Sequence, residues 1–351
     1  MKKTFHFPLS TFNLLLSSFL FLVAACAPKS PTTLTVMTHD SFAISEDVVT
    51  AFEAANNVDV VFLQSGDAGT MLNKAILSKD APLADVMFGV DNTFLSRALE
   101  ADIFDAYQSP GLSDVPADFV LDSSFRALPV DYGDVCINYD KKYFEENNLV
   151  APQSFEDLAK PEYNGLLVVE SPATSSPGLA FMLATRAWFG DGFLDYWQSL
   201  KENGVVVVDG WETAYYTNFS ASSGQGPQPM VVSYASSPAA EVFFASEPLT
   251  ESPTASIVAS GMCFRQIEFV GILKNGQNRD LAEKFVDFML SKEFQEDMPL
   301  NMFVYPVNQT AQLPEVFVQH AQVADQPASI TYEDIAANRD TWIEAWAEVM
   351  K

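Results

Sequence analysis

The chain has 351 residues, 48% of them hydrophobic with 28 Phe, and carries 46 acidic against 19 basic side chains for a formal charge of −27. A chain this apolar is not disordered in bulk, and its length suits two lobes. Its field excludes nucleic acid and anionic lipid as natural partners and favours a cationic ligand. Acidity that serves solubility alone is the competing reading, and residue pattern has to separate the two.

Lys2 and Lys3 precede an apolar stretch from Leu14 to Val23, which Val23-Ala24-Ala25-Cys26 closes. This is the pattern of an export signal. It is too short to span a bilayer, which takes about 20 residues, and the small residues before Cys26 resemble a lipoprotein processing site. The expectation is a signal peptide over 1–25, lipid on Cys26 and a tether over 26–33 that holds an extracytoplasmic domain at the membrane. Removal of 1–25 strips Lys2 and Lys3 and no carboxylate, so the mature domain is more acidic still.

Beyond the tether, apolar runs alternate with helical periodicity. Strands are expected at 34–37, 58–63 and 85–89, and helices at 45–55, 68–78 and 92–99. Three βα units in succession argue for a parallel sheet covered on both faces, and ligands of such sheets sit outside the carboxyl ends of the strands. That gives weight to His39, Asp40 and Ser41 after the first strand, Asp67 after the second and Asp91 after the third.

After Pro129-Val-Asp-Tyr-Gly133 the alternation resumes, with strands at 135–139, 166–170, 205–208 and 230–234 and helices at 177–189, 211–219 and 237–244. A strand at 267–273 and a helix at 280–290 return to the first series. The expected class is therefore an α/β two-lobe fold, each lobe a mainly parallel sheet flanked by helices, hinged by two crossing strands near Cys136 and Phe269. One lobe takes 34–136 and 267–308 and the other 137–266 and 309–351, with the placement of the C-terminal helices left open. Trp342 and Trp346, at i, i+4 spacing, share one face of the last helix and read as packing residues; His320, in a Gln-rich stretch, reads as surface.

No His-Glu-x-x-His, no Cys or His at metal spacing, no Gly-x-x-x-x-Gly-Lys-Ser/Thr loop and no Gly-x-Ser-x-Gly elbow occurs. No metal, no cofactor and no enzymatic activity are expected. Two lobes that close on a ligand, together with an export signal, favour a monomeric solute-binding protein that serves a membrane importer.

Several segments in order carry a family resemblance: Leu34-Thr-Val-Met-Thr-His-Asp-Ser-Phe42, Gly89-Val-Asp-Asn-Thr-Phe-Leu95, Pro129-Val-Asp-Tyr-Gly133, Ser175-Ser-Pro-Gly-Leu179, Gly210-Trp-Glu-Thr-Ala-Tyr215, Ser233-Tyr-Ala-Ser-Ser-Pro238, Tyr305-Pro306 and Thr341-Trp-Ile-Glu-Ala-Trp346. Together they resemble the thiamine-binding proteins of bacterial ABC importers over essentially the whole mature chain. The resemblance implies a type II periplasmic-binding-protein-like fold with thiamine or a thiamine phosphate in the cleft and an ABC permease as partner.

Thiazolium is a permanent cation, which aromatic faces hold by stacking and by cation–π attraction of roughly 0.5–2 kcal/mol per contact. Trp211, Tyr215, Tyr234 and Phe303 are the candidate walls, with Tyr132 as a wall or a hinge support. Asp40 and Asp91, then Asp67 and Asp131, are candidates to accept from the pyrimidine amine, each with helix capping as the competing role. Ser175, Ser176 and Gly178 at a helix start, with Ser236 and Ser237 more weakly, could hold a phosphate. His39 stands where the family carries tyrosine and Phe303 where it carries tryptophan, which implies thinner stacking.

Three rivals share the fold. Tyr215-Tyr216 with His39 could bind ferric ion, and acidity with aromatics also suits a polyamine. A thiaminase I-like enzyme would use Cys136 as nucleophile, against its alternatives as a buried hinge residue or a disulfide partner of Cys263.

Overall fold

The computed structural model describes residues 1, 31–221 and 225–351; the expected signal and Cys26 lie outside the described residues. The first half runs β1 (Thr32–Thr38), α1 (Glu46–Asn56), β2 (Val58–Gln64), α2 (Ala68–Leu77), β3 (Val86–Asp91), α3 (Leu95–Glu100) and a short β4 (Phe104–Asp105). The long β5 (Leu128–Asp140) leads into the second half through α4 (Lys141–Glu146), α5 (Phe155–Leu158), β6 (Leu167–Glu170), α6 (Ser176–Phe189), α7 (Phe193–Glu202) and β7 (Val206–Val208). A π-helical turn (Thr213–Asn218), β8 (Met230–Tyr234), α8 (Ser237–Phe243) and β9 (Thr254–Ile257) complete it. The chain returns along β10 (Phe264–Leu273) to α9 (Arg279–Met289), α10 (Lys292–Asn301), β11 (Tyr305–Pro306), α11 (Glu315–His320) and α12 (Tyr332–Met350).

One sheet runs through both halves in the order β2-β1-β3-β10-β5-β8-β6-β7, with β4, β9 and β11 paired off this path. β3 is parallel to β1, and β6 is parallel to both β7 and β8. Between these parallel sets, β10 and β5 lie antiparallel to each other and to the strand on either side. This is the expected two-lobe α/β architecture. β5 is longer than the expected 135–139 because it continues across both halves, and the carboxylates of Asp131 and Asp134 break the apolar run that would otherwise have marked its start.

Burial follows the layers. All six residues of β3 are buried, as a central strand covered on both faces requires. Ala282, Phe285, Val286 and Met289 form the buried stripe of α9 at i, i+3, i+4 and i+7 and pack over Leu34, Val36 and Phe88. Each large apolar side chain buried there contributes about 1.5–3 kcal/mol. α12 packs on α7, where Trp346 meets Trp197 edge-on at 5.5 Å. It also reaches the first half, where the Arg339 guanidinium lies 5.7 Å from the Phe94 ring centre. The last helix thus touches both halves, and Trp342, under the Arg186 guanidinium at 5.2 Å, packs as expected. Among the described residues no helix is long and apolar enough to cross a membrane.

The crossing pair is tied covalently. Cys136 and Cys263 stand on β5 and just before β10, one position past the Val135–Phe264 register pair, with Cα atoms 4.4 Å apart and their sulfurs bonded. A disulfide leaves Cys136 no thiol with which to act as a nucleophile. The bond spans 127 residues, and closing so long a loop restricts the unfolded chain by about 3–5 kcal/mol in the chain-entropy model. Replacing both cysteines by serine is expected to lower the urea midpoint and the melting temperature of the purified domain, by about 2–4 kcal/mol of stability; an unchanged urea midpoint would show that the bond contributes nothing.

Candidate functional site

The carboxyl ends of the parallel strands converge on a cavity of about 830 Å3. From the first half, His39, Asp40, Ser41 and Phe42 follow β1, and Asp67 opens α2. From the second half come Ser176 at the start of α6, Trp211 after β7, Tyr215 and Tyr216 in the π-helical turn, and Tyr234 at the end of β8. Glu268 of β10 and the Met302–Val304 loop join them. Asp40, Ser41, Asp67, Ser176, Trp211, Tyr215, Tyr234 and Phe303 are therefore brought together, whereas Asp91, Ser175, Gly178 and Ser236 do not line the cavity.

The aromatic wall is held rigidly. The Trp211 ring stacks on Tyr215 with centres 5.0 Å apart and planes 20° off parallel, and its Nε1 donates to Ser233 Oγ at 2.9 Å. The Phe219 amide donates to the Ala214 carbonyl at 2.9 Å, the i→i+5 pattern that opens a π-helical turn, and Tyr215 donates to Glu241. Tyr234 lies over Gly133, where a Cβ would come within 2.8 Å of the ring, so only glycine admits it. Phe303 has φ +54° and meets Phe244 at 5.4 Å and Phe243 at 5.9 Å. Ser236 donates to the Phe303 carbonyl, so that serine positions the loop from behind.

The carboxylates form a second system. Asp67 Oδ1 accepts from the Ala68 amide at 2.7 Å, capping α2, while Oδ2 accepts from the Trp211 amide at 3.1 Å across the cavity. The Gly69 amide also crosses, donating to the Thr174 carbonyl at 3.1 Å. Burial raises the Asp67 carboxyl above its usual range, against those two amides and the nearby His39. Asp40 Oδ1 accepts from the Gly66 amide at 2.7 Å and fixes the loop before α2.

Behind the cavity three carboxyls stand in register on neighbouring strands, since Glu268 of β10 pairs with Asp91 of β3 on one side and Asp131 of β5 on the other. Asp91 Oδ1 accepts from the Thr93 amide at 2.7 Å and the Phe94 amide at 3.2 Å, the capping role weighed against ligand contact, and burial pushes its carboxyl up to about 6. Asp131 is fully buried with neither oxygen at full hydrogen-bonding geometry. Burial first, then the charge of Glu268 and a hydrogen bond with it, raise the Asp131 carboxyl well above its usual range. His39 Nε2 lies 3.5 Å from Glu268. Burial opposes its charged form, but Glu268, Asp67 and Asp40 together hold the imidazole above its ordinary value.

Sequence reasoning missed Glu268, and also Glu212, Glu241, Glu247 and Phe244 of the lining, while Tyr216 had been singled out only for the ferric-ion reading. One carboxylate inside the apolar run Ile267-Glu268-Phe269-Val270 was the available signal for the first. Glu212, Glu241 and Glu247 sit on loops and helix faces of the second half, where acidic residues ordinarily serve solvation, and Phe244 directly follows α8. Among the described residues no three His, Cys, Asp or Glu side chains come together to hold a metal ion.

A two-half α/β molecule with a cavity at its strand ends, lined from both halves, has the architecture of a ligand-capturing protein. Residues 81–323 match the family model of bacterial extracellular solute-binding proteins, and the chain belongs to that family. It is 31% identical to a thiamine-binding periplasmic protein of Salmonella typhimurium over 93% of this chain and 96% of the relative. The protein of the same name from Escherichia coli is 30% identical over 89% and 92%. A solved periplasmic thiamin binding protein superposes with a TM-score of 0.81 at 28% identity, covering 92% of this chain and 97% of that one. The family makes this chain a non-enzymatic transport component with a periplasmic or extracellular location.

A carboxyl whose folded pKa is raised holds a proton that the unfolded chain releases, so its contribution to stability is complete below the unfolded pKa and is lost as pH rises through the folded value. Asp131→Asn removes that loss. The variant is expected to melt higher than the parent at pH 8, to converge with it near pH 4, and to show a shallower decline of melting temperature between them, by at most about 1.4 kcal/mol per pH unit; calorimetric scans across that range check it, and parallel curves would mean Asp131 is ionised in the folded protein.

Proposed function

We propose that the cleft captures thiamine and that the protein delivers it to an ABC importer. The observation that carries this reading is the combination of the stacked Trp211–Tyr215 pair with an acidic opposite wall. A flat heterocycle with a permanent positive charge is the ligand that both halves favour, the rings by cation–π attraction and the carboxylates by potential. The two relatives and the solved structure named for thiamine support the same choice. On this reading Asp40 and Asp67, which line the cavity, accept from the pyrimidine amine, and Tyr234 and Phe303, also of the lining, complete the enclosure.

The reading extends to anchoring. Val23-Ala24-Ala25-Cys26 supports cleavage before Cys26, with lipid on that cysteine and a tether through 33 holding a monomer at the membrane. Lobes of 34–136 with 267–308 and of 137–266 with 309–351 would then hinge on β5 and β10. Cys26→Ser is expected to move the protein from the membrane to the soluble fraction on fractionation of expressing cells, and retention in the membrane would remove Cys26 as the anchor.

Trp211 is one of five tryptophans, and among them it alone lines the cavity. Thiamine is therefore expected to quench its emission on titration. In Trp211→Ala most of the quenching should vanish and calorimetric affinity should fall roughly 3- to 30-fold. Unchanged affinity would remove Trp211 from the site, and no heat with the parent protein would remove thiamine as the ligand.

A further inference from the structure

One face of α8 turns toward the cleft. Ser237, Ala240, Glu241 and Phe244, at i, i+3, i+4 and i+7, all line the cavity, which is the spacing of residues that stand above one another on one side of a helix. The three inner positions are committed or small. Ser237 Oγ lies 2.9 Å from Ser233 Oγ, Glu241 accepts from the Tyr215 hydroxyl, and Ala240 carries only a methyl group.

Phe244 ends this stripe. It is the residue that closes α8, and its amide still donates to the Ala240 carbonyl at 2.9 Å, so its backbone keeps the helical register and its side chain the same face. Yet it is 70% exposed. Among the described residues, the large apolar side chains that are exposed and also line the cavity are Tyr216, Phe244 and Leu249. Tyr216 already stands edge-on to Trp211 at 5.4 Å. The rings beside Phe244 are Phe243, at 5.0 Å with planes 73° apart, and Phe303, at 5.4 Å with planes 58° apart. Neither is a parallel stack, so these contacts hold the ring by its edges and leave a face of it uncovered. The Phe303 contact ties α8 to the loop between α10 and β11, and Glu247 and Leu249, just beyond Phe244, line the cavity as well.

We propose that Phe244 is a ligand-retaining residue, whose open ring face covers the bound cation at the outer end of the aromatic wall and slows its departure. This rests on the thiamine reading above. The face of an aromatic ring is its negative side and attracts a cation, and Glu241 and Glu247 of the same lining reinforce that sign. Removing the ring changes no charge. The potential that draws a cation into the cleft is therefore unaltered, and the loss falls on dissociation, where most deleted contacts show.

Stopped-flow tryptophan fluorescence of the purified full-length mature protein with thiamine measures both rate constants. In Phe244→Ala the dissociation rate is expected to rise roughly 3- to 30-fold, with association unchanged within about twofold. Phe244→Tyr, which keeps the ring, should dissociate within about twofold of the parent rate. Parent-like dissociation in Phe244→Ala overturns the role of Phe244 and leaves the thiamine reading standing. Dissociation of Phe244→Tyr as fast as that of Phe244→Ala overturns the ring face as its cause. No fluorescence change and no calorimetric heat with the parent protein overturn the thiamine reading and this role with it.

Discussion

The antiparallel pairing of β5 with β10 is the constraint on which everything else rests. It is the one stretch of sheet shared by both halves, and three different bonds secure it within a few residues. The Cys136–Cys263 disulfide closes one end. Next to it, Asp134 and Arg265 are register partners and make a bidentate ion pair with both contacts at 2.8 Å, the guanidinium also lying 5.5 Å from the Tyr132 ring centre. Asp134 Oδ2 further accepts from the Ala324 amide at 2.6 Å. A bidentate charged pair with an extra amide is the arrangement in which a buried carboxylate is adequately satisfied.

That redundancy makes sense of what lies three residues further along. Asp131 and Glu268 are also register partners, yet they put two acids side by side with no cation between them. Like carboxyls in a poorly hydrated strand pair oppose folding, and such arrangements persist only where surrounding structure over-determines them. Here the disulfide and the Asp134–Arg265 pair do so. The destabilised acids sit next to the cleft, where Glu268 lines the cavity, and the stabilising bonds sit away from it.

The order of elements was legible because hydrophobic periodicity in βα units is a local property. The start of α6, expected at 177, is observed at 176, and the residues after β1 and β2 do reach the cleft. What could not be read is what depends on register. Whether Cys136 meets Cys263, and whether Glu268 meets Asp131, follows from how two strands 127 residues apart align. Asp67 shows the same limit. Its capping of α2 is a local pattern, but its second oxygen, bound to the Trp211 amide 144 positions away, makes it also a cross-cleft contact. Of the two roles weighed in the sequence the capping one is filled, and the second oxygen holds a contact to the other half that no local pattern could show. At Ser175-Ser176-Pro-Gly178 a good helix start and an anion pocket look identical in sequence, and the structure shows the helix start.

His39 closes the electrostatic argument. Its ring lies over Gly89, where a Cβ would come within 2.3 Å of the imidazole, so the β3 backbone is shaped to admit this side chain. Its base faces Glu268, and its ring edges toward Phe88 at 5.9 Å. Held above its ordinary pKa by three neighbouring acids, it gains a proton readily and offsets one negative charge of the row. One imidazolium cannot neutralise Asp40, Asp67 and Glu268 together. The field in the cleft therefore keeps its sign whether His39 is protonated or not, and attraction for a cation comes from the number of carboxylates and not from the titration of any single group.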